Sequence, residues 1–242
     1  QRSAPVPPLP APSVVFMAEP KDKPRTFRLE TPVSAEDIAS LRLGDVVYLD
    51  GTIYTGREGV YQRVVGEGRD LPVDPAEVGN VNFHCSPAAA VQDDGSFKVG
   101  AVTATASFRF TKWLDRWFEV SGCKVIIGKG GMTSKVYRKH FVPKGAVYLT
   151  TVGYGTGALL GRGIKRVKAA HWIEDLGIAQ AMWVFEVENF GPFLVESDLA
   201  GNSLFERANA EVAKGLDALY EGLKRPALHR YGETDERKDE LI

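Results

Sequence analysis

Three times along this chain an apolar run of β-forming residues ends in a turn rich in glycine or hydroxyl groups, and a helical pattern follows. The first case is V-V-Y-L-D-G-T-I-Y-T-G-R-E at 46–58. The second is V-T-A-T-A-S-F-R-F at 102–110, and the third is V-I-I-G-K-G-G at 125–131. G-A-V-Y-L-T-T-V-G-Y-G-T-G-A-L-L-G, from Gly145, repeats the theme. Alternation of this kind predicts an α/β architecture, with function at the carboxyl ends of the strands.

Local signals fill in the elements. Ser34, three residues ahead of Asp37, predicts a capped helix over 33–41. Asp50-Gly51 between two β-rich runs predicts a hairpin turn, and Asp94-Gly95 a second one. A helix is expected after Gly56, a loop over 66–80 and a short strand over 80–85. Trp113, Leu114, Trp117 and Phe118 recur at helical spacing, and Gly122 stops that helix. A-M-W-V-F-E-V-E-N-F and G-P-F-L-V-E-S-D read as two strands. The last helix puts Phe205, Ala208, Val212, Leu216, Leu219 and Leu223 on one face, with Arg225-Pro226 ending it.

Composition excludes several function classes. A net charge of −1 over 242 residues argues against a nucleic-acid binder, and no apolar run is long enough to cross a bilayer. Two cysteines, Cys85 and Cys123, with no C-x-x-C spacing, cannot by themselves hold zinc or an iron–sulfur cluster. They suit a reducing compartment, the cytoplasm. The Pro-rich residues 1–26 read as an N-terminal extension, 27–226 as the domain and 227–242 as a charged tail. Met17 opens a stretch that reads like a natural start.

The strand-end turns carry the candidate chemistry: Arg57 in the first, Thr105, Ser107 and Arg109 in the second, Lys129 in the third. Two guanidiniums and an ammonium together suit a dicarboxylate or a phosphate, which arginine grips bidentately. Singly, each has a plainer reading: Arg57 and Lys129 as surface cations, Thr105 and Ser107 as helix caps. G-Y-G-T-G at 153–157 is neither G-x-G-x-x-G nor a phosphate loop and reads as close packing or a phosphate-free turn. His84, His140, His171 and His229 lack metal-ligand spacing, and His171 reads as a core histidine. There is no nucleophile elbow and no Cys/His dyad in the sequence.

Taken in order, L-R-L-G-D-V-V-Y-L-D-G-T-I-Y-T-G-R, T-A-T-A-S-F-R-F, V-I-I-G-K-G-G-M, H-W-I-E-D-L-G, W-V-F-E-V-E-N-F-G-P-F-L-V and D-L-A-G-N-S-L-F form a set. This set resembles the β subunit of class I iron–sulfur fumarate hydratases and L(+)-tartrate dehydratases, from about Thr31 to Phe205. The resemblance implies a swivelling β/β/α domain with a mixed sheet and flanking helices. It implies a hydro-lyase acting on a 2-hydroxy dicarboxylic acid, malate/fumarate or tartrate-like. It also implies a partner α subunit that holds a 4Fe-4S cluster, in an α2β2 assembly, with one iron open to the leaving hydroxyl. By the same resemblance Arg57, Arg109 and Lys129 grip substrate carboxylates and Thr105 is the candidate base; Ser107, from its place in the turn, is expected to cap the helix or line the substrate site.

The chain departs from the family pattern at the second turn. Thr103 replaces a glycine, Ala104 a proline and Ala106 a second threonine; Glu58 follows Arg57, and Tyr61 stands where a histidine is common. These residues shape the pocket, which leaves room for a different 2-hydroxy acid. They also motivate a second reading, a non-catalytic small-anion-binding or regulatory protein that keeps the fold. A free-standing phosphatase or nucleotide enzyme comes third, since its motifs are missing.

Overall fold

The computed structural model describes residues 23–153 and 155–222. The Pro-rich start through residue 22, Tyr154, Leu223, the stop at Arg225-Pro226 and the tail at 227–242 lie outside the described residues. β1 (Thr26–Glu30) leads to α1 (Ala35–Ser40), which starts as predicted, with Ser34 Oγ accepting from the Asp37 amide at 3.0 Å. After β2 (Val46–Thr55), α2 (Glu58–Tyr61) begins directly past Arg57 and widens into a π-turn over 62–66. The predicted loop contains a single turn of helix, α3 (Pro75–Val78), capped by Asp74. β3 (Val81–Phe83) is followed by a hairpin of β4 (Cys85–Val91) and β5 (Phe97–Ala104) around Asp94-Gly95, as the turn signal predicts.

A 3-10 turn at Ser107–Trp113 runs into α4 (Leu114–Ser121), which ends on Gly122 in the left-handed region at φ 62°. β6 (Val125–Gly128), α5 (Ser134–Val136), β7 (Val147–Thr151) and α6 (Thr156–Gly163) follow. The described chain finishes with β8 (Ile164–His171), α7 (Ile173–Leu176), β9 (Met182–Ser197) and α8 (Leu204–Leu219).

β2, β3, β6 and β7 are parallel neighbours, and β9 runs antiparallel to both β7 and β2. That second pairing closes five strands into a barrel, with β1 extending from β2 and β8 from β9. The fold is therefore mixed α/β, a mixed sheet with flanking helices. Strands buried on both faces read as continuous apolar runs rather than alternating ones. In β6, Val125 and Ile127 join the interior with Leu49, Phe83, Leu149 and Phe185, while Ile126 packs outward with Phe118, Tyr137 and Tyr148. A third cluster stacks Tyr61 on Trp117, ring centroids 4.2 Å apart, with Tyr54, Phe110 and Trp113 around them.

Two expectations are corrected. Asp50-Gly51 is not a hairpin turn; β2 runs straight through it, with bulges against β9. Arg28 Nη2 donates to the Asp50 carboxylate at 2.9 Å and the Asn189 amide donates to it at 2.7 Å, so both neighbours hold the aspartate in the strand. Gly51 is needed for close approach, since a Cβ there would lie 2.5 Å from Thr31 Oγ1. The two strands expected over 181–198 are one strand, β9, of 16 residues. It leaves β8 and meets β7 around Gly191-Pro192, where a Cβ on Gly191 would be 2.7 Å from Val47 O.

The apolar stripe of α8 exists, but it does not pack on the core. Phe205, Val212, Leu216 and Leu219 are 40%, 61%, 43% and 69% exposed.

Candidate active site

Parallel strands point their carboxyl ends the same way, so the segments after β2, β3, β6 and β7 gather at one end of the barrel. Arg57 follows β2 and His84 follows β3; Lys129 follows β6 and the G-Y-G-T-G turn follows β7. The end of the β4–β5 hairpin is threaded among them. Thr105 N donates to His84 O at 2.6 Å, Lys129 N donates to Thr105 O at 3.1 Å, and Ala106 bridges Lys129 in parallel. These bonds use the backbone of Thr105 and leave its hydroxyl out of the ladder. Thr105 is buried, whereas Arg109 and Lys129 are exposed.

Arg57 is half-buried. Its Nη1 donates to Ala179 O at 2.9 Å and to Ser86 Oγ, while Nε is buried without a partner. Burial, and after it the positive charge of Arg109, hold the Arg57 guanidinium below its ordinary value. Arg109 lies over the Phe110 ring at 5.6 Å. Among the described residues neither arginine has a carboxylate partner in an ion pair. Two mutually repelling guanidiniums, one half-desolvated, favour a bound anion.

Lys129 lines a cleft of about 760 Å³ with Thr103, Ala104, Thr151, Leu160 and Phe205, and the glycine turn forms one wall. The two arginines are not in that lining. The departures Thr103 and Ala104 are thus wall residues, and Ala106 sits in the bridge beside Lys129. In the fourth turn Gly157 serves close packing, since a Cβ there would be 2.7 Å from Val102 O, whereas a Cβ on Gly153 or Gly155 would meet nothing among the described residues within 4 Å and these two take positive φ, 62° and 86°; in α6 a Cβ on Gly161 would be 2.4 Å from Gly100 O. A larger cleft, about 1110 Å³, opens near Arg42, Asp45 and Glu206 and contains none of the predicted site residues.

Ser107 points inward. Its Oγ is 2.7 Å from His84 Nδ1 and accepts from Tyr148 Oη at 2.8 Å. His84 Nε2 is 2.8 Å from the hydroxyl of Tyr61, the residue in the usual histidine position. His84 is the residue that sequence reasoning missed. It stands alone in the sequence, and its partners come from positions 23 residues away on either side. His171 is half-buried, with Nε2 lacking a partner, and burial lowers its pKa.

No group of three or more His, Cys, Asp and Glu side chains that could hold a metal occurs among the described residues. Both cysteines are free and buried, and burial pushes the Cys123 thiol up to about 12 and raises Cys85 as well. The donor set of these residues does not fit an iron–sulfur cluster. No described helix is long and apolar enough to cross a membrane.

Residues 9–208 match the model of the family described as Fumarase C-terminus. The chain is 31% identical over 193 residues to the L(+)-tartrate dehydratase subunit beta of Escherichia coli, spanning 80% of this chain and 93% of that one. A Methanocaldococcus jannaschii protein whose name places it with the same β subunits is 33% identical over 190 residues, 77% of this chain and 95% of that one. A Geobacillus stearothermophilus protein whose name places it with class I fumarate hydratases is 33% identical over 185 residues, 75% of this chain and 34% of that one.

Proposed function

This chain belongs to the Fumarase C-terminus family, and on that footing we propose that it is the β subunit of an iron–sulfur hydro-lyase. The substrate is a 2-hydroxy dicarboxylic acid, malate/fumarate or tartrate-like, dehydrated reversibly. The observation that carries the reading is Arg57 and Arg109 at the strand ends, neither with an ion-pair partner among the described residues, the Arg57 guanidinium held below its ordinary value first by burial and then by the charge of Arg109. Lys129, reached through the Thr105 backbone, is the third cation.

Dehydration removes a proton from the carbon beside one carboxylate, and negative charge then builds on that carboxylate. Guanidiniums already in place stabilise that charge without reorganising. Thr105 is the proposed base; its hydroxyl needs the neighbouring cations to act as one. Ser107 supports this turn from below. The closed barrel with its flanking helices supports the reading as a swivelling β/β/α domain.

The 4Fe-4S cluster is assigned to a partner α subunit, because the described side chains of this chain provide no ligand set for it. Relatives named as β subunits support such a partner, as does the exposed stripe of α8, since apolar side chains in water mark surfaces that another protein covers. The assembly is proposed as α2β2 and cytoplasmic.

The test is co-purification with an α-subunit homologue, reconstitution with iron and sulfide, and assay of hydration of unsaturated dicarboxylates. Turnover by the complex and none by either chain alone is the expected result. Activity of this chain alone without iron would overturn the division of labour. Carboxylate binding by a complex that never turns over would favour the anion-binding reading.

A further inference from the structure

Five polar side chains with almost no solvent exposure form one hydrogen-bonded chain under the strand ends: Asn82, Tyr61, His84, Ser107 and Tyr148. They come from separate elements, β3, α2, the residue after β3, the turn after β5, and β7. Buried polar chains are high-stakes features; a dry site is more cheaply filled by apolar groups unless the polarity has a use. Gly128 makes room for this one, since a Cβ there would lie 2.0 Å from Ser107 Oγ and 2.4 Å from Tyr148 Oη.

Both ends of the chain donate inward: Asn82 Nδ2 to Tyr61 Oη at 3.0 Å and Tyr148 Oη to Ser107 Oγ at 2.8 Å. Burial pushes the His84 imidazole down to about 3, so the ring is neutral and carries one proton. That one proton lies on Nε2 facing Tyr61 Oη or on Nδ1 facing Ser107 Oγ, and the hydroxyl at the other nitrogen donates to the ring. In both arrangements His84 and Tyr148 hold Ser107 Oγ from two sides, and the Ser107 backbone lies between Thr105 and Arg109.

We propose that Ser107 and His84 are positioning residues: the chain Tyr61–His84–Ser107–Tyr148 pins the turn that carries Thr105 and Arg109 against β3, β6 and β7. The functional part rests on the hydro-lyase reading above; the buried hydrogen-bonded chain does not. Arg57 sits on another turn, so loosening this one disturbs Thr105, Arg109 and, through Thr105 O, the Lys129 backbone, while Arg57 stays in place. The signature is a loss in kcat larger than the change in KM.

The first arm is nitrogen-15 NMR of the full chain. It reads the His84 protonation state without any assay. A neutral ring held in one tautomer is expected; a charged ring, or a ring exchanging between tautomers, overturns the fixed buried chain even if the enzyme is active. The second arm is steady-state kinetics of the reconstituted complex. Ser107→Ala and Tyr61→Phe should lower kcat about tenfold or more with KM changed less than about threefold. His84→Asn keeps an N–H near the place of Nδ1 and should retain clearly more kcat than His84→Leu. Folded variants with wild-type kcat, or equal loss in His84→Asn and His84→Leu, overturn the positioning role. If His84→Leu fails to fold, Tyr61→Phe, which keeps the ring stack, decides the question by the same kinetic criterion. A wild-type complex that turns over no hydroxy acid refutes the functional half along with the hydro-lyase reading, while the NMR arm still judges the buried chain.

Discussion

Arg57→Ala separates binding from folding. In the free chain this guanidinium is half-buried, its Nε has no partner, and Arg109 repels it. Its lowered pKa means that the fold disfavours the charged form, so deleting it removes an electrostatic liability. Against this stand the lost bonds to Ala179 O and Ser86 Oγ, worth about 1 kcal/mol each at most in a partly wet site. The two effects oppose each other, and the melting temperature of the isolated chain should move by no more than about 4 °C. With substrate bound the balance changes. One charge-assisted contact to a carboxylate contributes about 1.5–3 kcal/mol, so kcat/KM of the reconstituted complex should fall roughly tenfold to hundredfold. Differential scanning calorimetry and steady-state kinetics on the same preparation check both halves. A fall in kcat/KM of less than about threefold would return Arg57 to an ordinary surface arginine. A large loss of stability would show that the residue holds the fold rather than the substrate.

Three further outcomes follow from other parts of the molecule. Burial pushes the Glu196 carboxyl up to about 7, against the bond from Ser203 and the nearby Tyr137, with Glu206 adding to the rise. A raised folded-state value means that the folded chain holds this proton longer than the unfolded one. The carboxyl's contribution is then full at low pH and is lost as pH rises from the usual glutamate range through about 7; Glu196→Gln should therefore be more stable than wild type at pH about 8, in thermal melts taken across pH, and a wild-type advantage there would refute it. Leu216→Lys on the exposed stripe of α8 should leave the chain's own melting unchanged yet weaken α-subunit association by more than about tenfold in sedimentation. Gly161→Val should lower stability by about 1–3 kcal/mol in denaturant titration, because a side chain there drives α6 off the β5 backbone at Gly100.

Much of the molecule was legible before any coordinates. The Ser34 cap, the Asp94-Gly95 hairpin and the Gly122 stop are local devices, decided within a few residues by backbone hydrogen bonding and φ preference. The apolar runs and the cations after them also lie in one stretch each, so the position of Arg57, Thr105, Arg109 and Lys129 just after strands could be anticipated, but not that Lys129 lines a cleft without the two arginines. Asp50-Gly51 shows where such reasoning stops. Its turn preference is overridden by Arg28 and Asn189, 22 and 139 residues away, and no local pattern encodes partners at that distance.

The sequence by itself therefore determined most of the elements, the residues at their ends and the family. Tertiary structure alone decided that β9 closes the barrel against both β2 and β7, that the α8 stripe faces solvent, and that His84 meets Tyr61 and Ser107. Periodicity and capping are properties of neighbouring residues. Closure and buried hydrogen-bonded chains are properties of segments brought together by packing, and their energy exists only once the core has formed.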